Sequence, residues 1–335
     1  MTPRAERTDL DAHDARTLVW DGDALLDPAG GCARLFLDGT YARPCMFLGF
    51  RFDTAQALGG LTLLTSREGT KGLLLEDGHV LREIDRSHYF AAQTHFPAAL
   101  VPGADGAPWL VHCPESYCEL ALEDARTGED RSPSRGKAPD FFHGRLLPSP
   151  SGRYLASCGW VWHPFDAVAV YDLQTSLTES LRSDGLGEHV ALETAGTTVA
   201  WLDDHRLYVA SVEQHFRDES ARPDGCVVDA SGDIWLHRLS LVDLANDTAV
   251  TATLPFPAGA MLAVDERHVL TLEGHPRLVD VTTGAVVEAW PDVLLRTELH
   301  AMPRENPSVI ALDAAGRRAA MKHGARITVL SFARP

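Results

Sequence analysis

Fifteen histidines are the residues most able to do chemistry in this 335-residue chain, and most fall in connections between short β-rich runs. Imidazole titrates near neutrality and ligates transition metals, so a ring of such side chains at one mouth could bind a metal or move protons. His112, His163, His215, His275 and His323 sit near one class of connection, while His88, His95, His143, His189 and His300 lie near crossings between repeats. His79, His205 and His268 fall toward the opposite side.

Two stretches concentrate the chemistry further. The run His112-Cys113-Pro114-Glu115-Ser116-Tyr117-Cys118-Glu119 offers an imidazole, two thiols and two carboxylates in one connection. His112, Cys113 and Cys118 are therefore candidate ligands for a transition metal such as zinc, although the second cysteine pair of a complete zinc site is missing. Two half-buried thiols in a turn are the plainer reading. In Trp160-Val161-Trp162-His163-Pro164, the two indoles of an extended chain share one side and lead to His163. They form either the wall of a ligand or peptide pocket or, more simply, packing between repeats.

The elements that must position these residues are strands. Leu147 to Leu173 reads as three short strands with a Ser151-Gly152 turn between the first two, which is most of a propeller blade. Six such units fit from about residue 41 onward. The first comprises 44–53, 61–66, 71–77 and 79–84, and Asp77-Gly78 joins its last two strands because that dipeptide readily supplies positive φ in a two-residue hairpin. The sixth runs out after three strands, so a strand from the N-terminal segment is expected to complete the ring beside Arg326 to Ser331, with Thr17 to Trp20 and Ala33 to Leu37 as candidates. The expected fold is all-β: a single-domain β-propeller of six or seven four-stranded blades over residues 15–335, closed by an N-terminal strand, with residues 1–14 flexible. The segment 125–140, mixing charge, Gly and Pro, reads as an exposed excursion, and 213–232 as an insertion.

Ser149-Pro150-Ser151-Gly152-Arg153-Tyr154-Leu155-Ala156-Ser157, followed by Val168-Ala169-Val170-Tyr171-Asp172-Leu173, resembles a blade of the WD40-like propellers. The family's Gly-His and Trp-Asp dipeptides are absent, Tyr171-Asp172 being the nearest substitute. The Gly-Trp-Val-Trp-His-Pro stretch also resembles uncharacterised bacterial proteins, and the scarcity of lysine (Lys71, Lys137 and Lys322 alone) points to a GC-rich bacterial genome. The family resemblance implies an interaction platform.

A formal charge of −17, from 47 acidic against 30 basic residues, repels nucleic acid and anionic lipid and favours basic partners. No apolar run resembles a signal peptide or a membrane span, which places the chain in the cytoplasm, where its six cysteines stay reduced. There is no phosphate loop, nucleophile elbow or calcium loop. The reading is a propeller that binds a protein or peptide partner through one loop-rich face carrying His88, His95, His112, His143, Trp162, His163, His215, His275 and His323. It needs no cofactor. The alternative is an enzyme, metal-dependent or not, acting on a small molecule at the mouth of the central channel.

Overall fold

A strand buried on both faces must be apolar nearly throughout, and the chain repeats such runs at Leu61–Thr65, Pro108–His112 and Tyr154–Val161. Each is the second strand of a blade in the computed structural model. The structure describes residues 3–43, 46–133, 137–138, 140–161, 165–179, 194–215, 225–228, 232–297, 299 and 306–333. No helix occurs among them, and hence none long and apolar enough to cross a membrane.

Strand β1 (Ala5–Asp11) stands apart from the first blade, which contains β2 (Val19–Asp21), β3 (Ala24–Asp27), β4 (Ala33–Phe36) and β5 (Tyr41–Ala42). Blade 2 contains β6 (Thr54–Leu58), β7 (Leu61–Thr65), β8 (Lys71–Glu76) and β9 (His79–Asp85). Blade 3 has β10 (Ala98–Pro102), β11 (Pro108–His112) and β12 (Ala121–Asp124), with a Glu123–Asp130 bridge beyond them. Blade 4 has β13 (Phe141–Pro148), β14 (Tyr154–Val161) and β15 (Phe165–Asp172). Blade 5 has β16 (Thr194–Trp201), β17 (Arg206–His215), β18 (Val227–Val228), β19 (Ile234–Asp243) and β20 (Thr248–Leu254). Blade 6 has β21 (Met261–Ala263), β22 (His268–Thr271), β23 (Arg277–Asp280) and β24 (Val286–Ala289). Blade 7 combines β25 (Ile310–Asp313), β26 (Arg318–His323) and β27 (Arg326–Phe332) with β1, in the order β1-β27-β26-β25.

The fold is thus a seven-bladed β-propeller on a four-stranded plan. Inner strands β25, β2, β6, β10, β13, β16 and β21 succeed one another around the axis. The core is correspondingly divided into layers between blades. Leu61, Leu74, Ile84, Leu100 and Leu110 fill the layer between blades 2 and 3, and Val101, Val111, Leu122, Leu155 and Tyr171 fill the next.

Closure by an N-terminal strand holds, but a different segment performs it. Ala5 to Asp11 pairs antiparallel with Phe332 to Arg326, so residues 1–14, expected to be flexible, contain the closing strand. It is mostly polar; Leu10 turns into the core and Ala5 packs against the neighbouring layer, while Asp9 accepts from Thr328 Oγ1 and Arg7 reaches Asp292 at 2.7 Å. Thr17 to Trp20 and Ala33 to Leu37 instead belong to blade 1, which adds to the six units fitted from about residue 41 to make the higher of the two expected blade numbers and packs on blade 7 through Leu25 and Leu35. Residues 46–53, assigned to a strand from sequence, precede β6 as irregular chain. The Asp77-Gly78 hairpin forms as expected, with φ of +48° and +81°. At Tyr171-Asp172, Asp172 accepts from Arg153 Nη2 at 3.1 Å and from the Gln174 amide; Asp280 repeats the arrangement with Arg267.

Candidate binding site

The inter-blade segment after β9 would be loose on composition alone. It is organised by one buried cation. Arg86, 8% exposed, donates to the carbonyls of Gly69, Ala91, Thr94 and His95 at 2.7–2.8 Å and to Thr94 Oγ1 at 3.2 Å. These acceptors are neutral, so burial pulls its pKa down to about 10, which still leaves it charged at neutral pH. The wrapped segment holds Phe90 at φ +53° and presents Tyr89, 48% exposed, at the surface.

Tyr89 is the outer end of an aromatic column. Its ring stacks on Tyr117 at 5.1 Å, Tyr117 on Phe142 at 3.8 Å, and Phe142 on Trp160 at 3.9 Å, with Phe90 edge-on to the last two. Gly159 makes this approach feasible, because a Cβ there would strike the Phe142 carbonyl and the Phe141 ring beside the bulge between Phe142 and Arg145. Tyr117 Oη donates to Asp140 at 3.0 Å; burial, then this carboxylate, raises its pKa to about 12. Trp160 is buried, in keeping with the packing reading of that indole. Trp162 and His163 lie outside the described residues.

The remaining predicted site residues are distributed rather than convergent. His88 is exposed next to Tyr89. His95 is buried, its pKa held well below the usual value by burial and then by the Arg145, Arg67 and Arg86 charges. His143 is 2% exposed, with Nδ1 3.0 Å from Ser157 Oγ, and burial drives it down to about 3. His275 accepts from Arg277 at 3.2 Å, and His323 Nε2 lies 2.8 Å from Thr328 Oγ1. Burial is the leading reason that both titrate below the ordinary range. His215 ends β17, and its side chain lies outside the described residues.

Nor do His112, Cys113 and Cys118 form a ligand set. Strand alternation turns His112 toward blade 2, with Leu110, and sends Cys113 into the core between blades 3 and 4. Burial pushes the Cys113 thiol well above its ordinary pKa, which disfavours the thiolate a metal needs. Among the described residues no three His, Cys, Asp or Glu side chains are grouped to hold a metal ion.

His112 instead lies at a cleft of about 690 Å³ between the outer strands of blades 2 and 3. His112 is 5% exposed; its Nε2 lies 3.4 Å from Glu123 Oε1, and neither ring nitrogen has a hydrogen-bond partner of good geometry. Glu83, Asp85, Glu115, Glu119, Glu123 and Asp130 also line the cleft, over a floor that includes Leu120 and Leu177. Arg82 binds Glu123 at 2.5 Å; burial would raise that carboxyl, but His112 and Arg82 together leave it below the usual range. The connection 113–120 therefore contributes Tyr117 to the column and Glu115 and Glu119 to the cleft, making the two features adjacent parts of one surface. Sequence reasoning singled out His112 and the Glu115 and Glu119 carboxylates here but missed Arg86, Tyr89, Phe142 and the carboxylates of the neighbouring strands. The Glu115 and Glu119 bracket around Tyr117 was the available signal.

No family model and no curated protein matches the sequence. Solved propellers match its fold at 10% identity. The WD40 domain of Neurospora crassa Pan2 aligns with a TM-score of 0.52 over 96% of this chain and 90% of its own. A chain of the mitotic checkpoint complex aligns at 0.54 over 99% and 96%. A catalytically inactive virginiamycin B lyase from Staphylococcus aureus, solved with quinupristin, aligns at 0.51 over 98% and 99%. At such identity the likeness extends to the fold.

Proposed function

We propose that this chain is a protein-binding propeller whose partner presents a peptide segment to the loops of blades 2 to 4. The observation that carries the reading is the shared connection 113–120, which sets a half-exposed aromatic step directly beside a concave polar cleft. Aromatic anchors with an adjoining polar pocket are the usual anatomy of a peptide-recognition surface. The structural neighbours from WD40 assemblies support the class, since rigid propellers display loops on a scaffold that does not need to move. His88, exposed beside Tyr89, belongs to the same proposed surface.

Peptide display against the immobilised protein tests this. Selected peptides should lose about tenfold or more in affinity for Tyr89→Ala, a typical cost for an interface anchor. They should bind His79→Ala, on the opposite hairpin face, as tightly as the wild type. Selected binders indifferent to Tyr89→Ala, or a selection that yields none, would overturn the proposal.

A further inference from the structure

Resting on that reading, we infer that the cleft between blades 2 and 3 is a receptor for an arginine side chain of the partner segment. The charge arithmetic is local. Of the six lining carboxylates, Glu123 is bound by Arg82 and Asp85 by Lys71 at 2.8 Å, and Glu83 also feels the Lys71 charge, while Glu115 and Glu119 have no cationic partner among the described residues. An acidic surface alone would bind counter-ions diffusely. The second, independent feature is His112, a buried imidazole at the same cleft whose two nitrogens both lack a hydrogen-bond partner, Nε2 having only the Glu123 carboxylate at 3.4 Å.

Glu123 at 3.4 Å favours the tautomer that carries its proton on Nε2, which leaves Nδ1 as an acceptor seeking an N–H donor. A buried acceptor without a donor costs free energy that a ligand can return. Guanidinium supplies five N–H donors in a plane, enough to address Glu115 and Glu119 together with Nδ1, whereas an ammonium offers a compact point charge. The apolar floor at Leu120 and Leu177 matches the methylene stem of such a side chain. A metal ion fits less well, because no three ligands are grouped among the described residues.

The probes are Nα-acetyl-arginine methylamide and its citrulline and lysine counterparts, titrated into the full chain at physiological ionic strength and followed by NMR. Citrulline preserves shape and removes the charge. The arginine compound should bind and shift the His112 imidazole resonances, and the citrulline compound should not. Glu115→Gln/Glu119→Gln should weaken binding by about tenfold. Glu6→Gln/Glu288→Gln, with the same change of net charge on the outer strands of blades 7 and 6, should leave it within about twofold. Equal losses in both double variants would reduce the effect to diffuse charge and overturn the assignment. Lysine binding as tight as arginine, or no shift at His112, would overturn it as well. If the arginine compound does not bind while displayed peptides still depend on Tyr89, the arginine receptor falls and the peptide-binding surface stands; if both fail, both readings fall.

Discussion

Acid should unfold this protein through its buried imidazoles before its carboxylates matter, and His143 allows the size of the effect to be worked out. The ring is fully enclosed between Ser157, Phe141 and Tyr171, and burial holds its pKa at about 3. An unfolded histidine titrates near 6.5. Because the folded-state value is depressed, the unfolded chain binds a proton that the folded chain refuses, so stability is constant above about pH 6.5 and falls as pH drops toward about 3. The slope is about 1.4 kcal/mol per pH unit for one such group, which amounts to roughly 2 kcal/mol between about pH 6.5 and pH 5. His95 and His237, also lowered by burial, act in the same direction. The carboxylates with shifted values, such as Asp280, Asp9 and Asp203, are all lowered and do not titrate in this window. Urea unfolding monitored by tryptophan fluorescence at about pH 7 and pH 5 measures the difference. His143→Gln keeps a partner for Ser157 and removes the titration, so its loss on acidification should be smaller than the wild type's by roughly 2 kcal/mol. An identical pH dependence in the two proteins would refute the claim that His143 is held neutral by burial.

Deleting residues 1–12 removes β1 from blade 7 and exposes the β27 edge; calorimetry should show one cooperative transition at lower temperature, and an unchanged melting curve would contradict closure by β1. Phe142→Ala, at the centre of the column and 1% exposed, should cost about 3–5 kcal/mol, whereas Tyr89→Ala should cost under about 1 kcal/mol, as denaturation curves would show. In the native protein, Cys113 and Cys158, both buried with raised thiol pKa values, should resist a thiol-specific reagent that modifies the half-buried Cys118; mass spectrometry of the labelled protein reads this directly.

Features whose cause is local were legible in the sequence. Asp77-Gly78 forms its hairpin because those two residues tolerate positive φ, and Leu147 to Leu173 holds the end of β13 with β14 and β15 because turn chemistry and alternation agree within one stretch. The propeller class followed from repetition of such units. Blade 1 escaped the count because its strands are only two to four residues long, too short to show a period. The closing strand escaped because β1 reads as a polar, fraying terminus, and its reason for being ordered lies in β27, at the other end of the chain. The proposed binding surface is likewise a product of tertiary structure. Tyr89, Tyr117, Phe142 and Trp160 stand in four separate segments, and only the packing of the blades brings their rings within stacking distance. The histidines show the converse. Their positions suggested a shared centre, but alternation along each strand turned His112, His143 and His323 toward partners in their own blades, because a side chain's direction is set by the register of its strand and not by its place in a loop map.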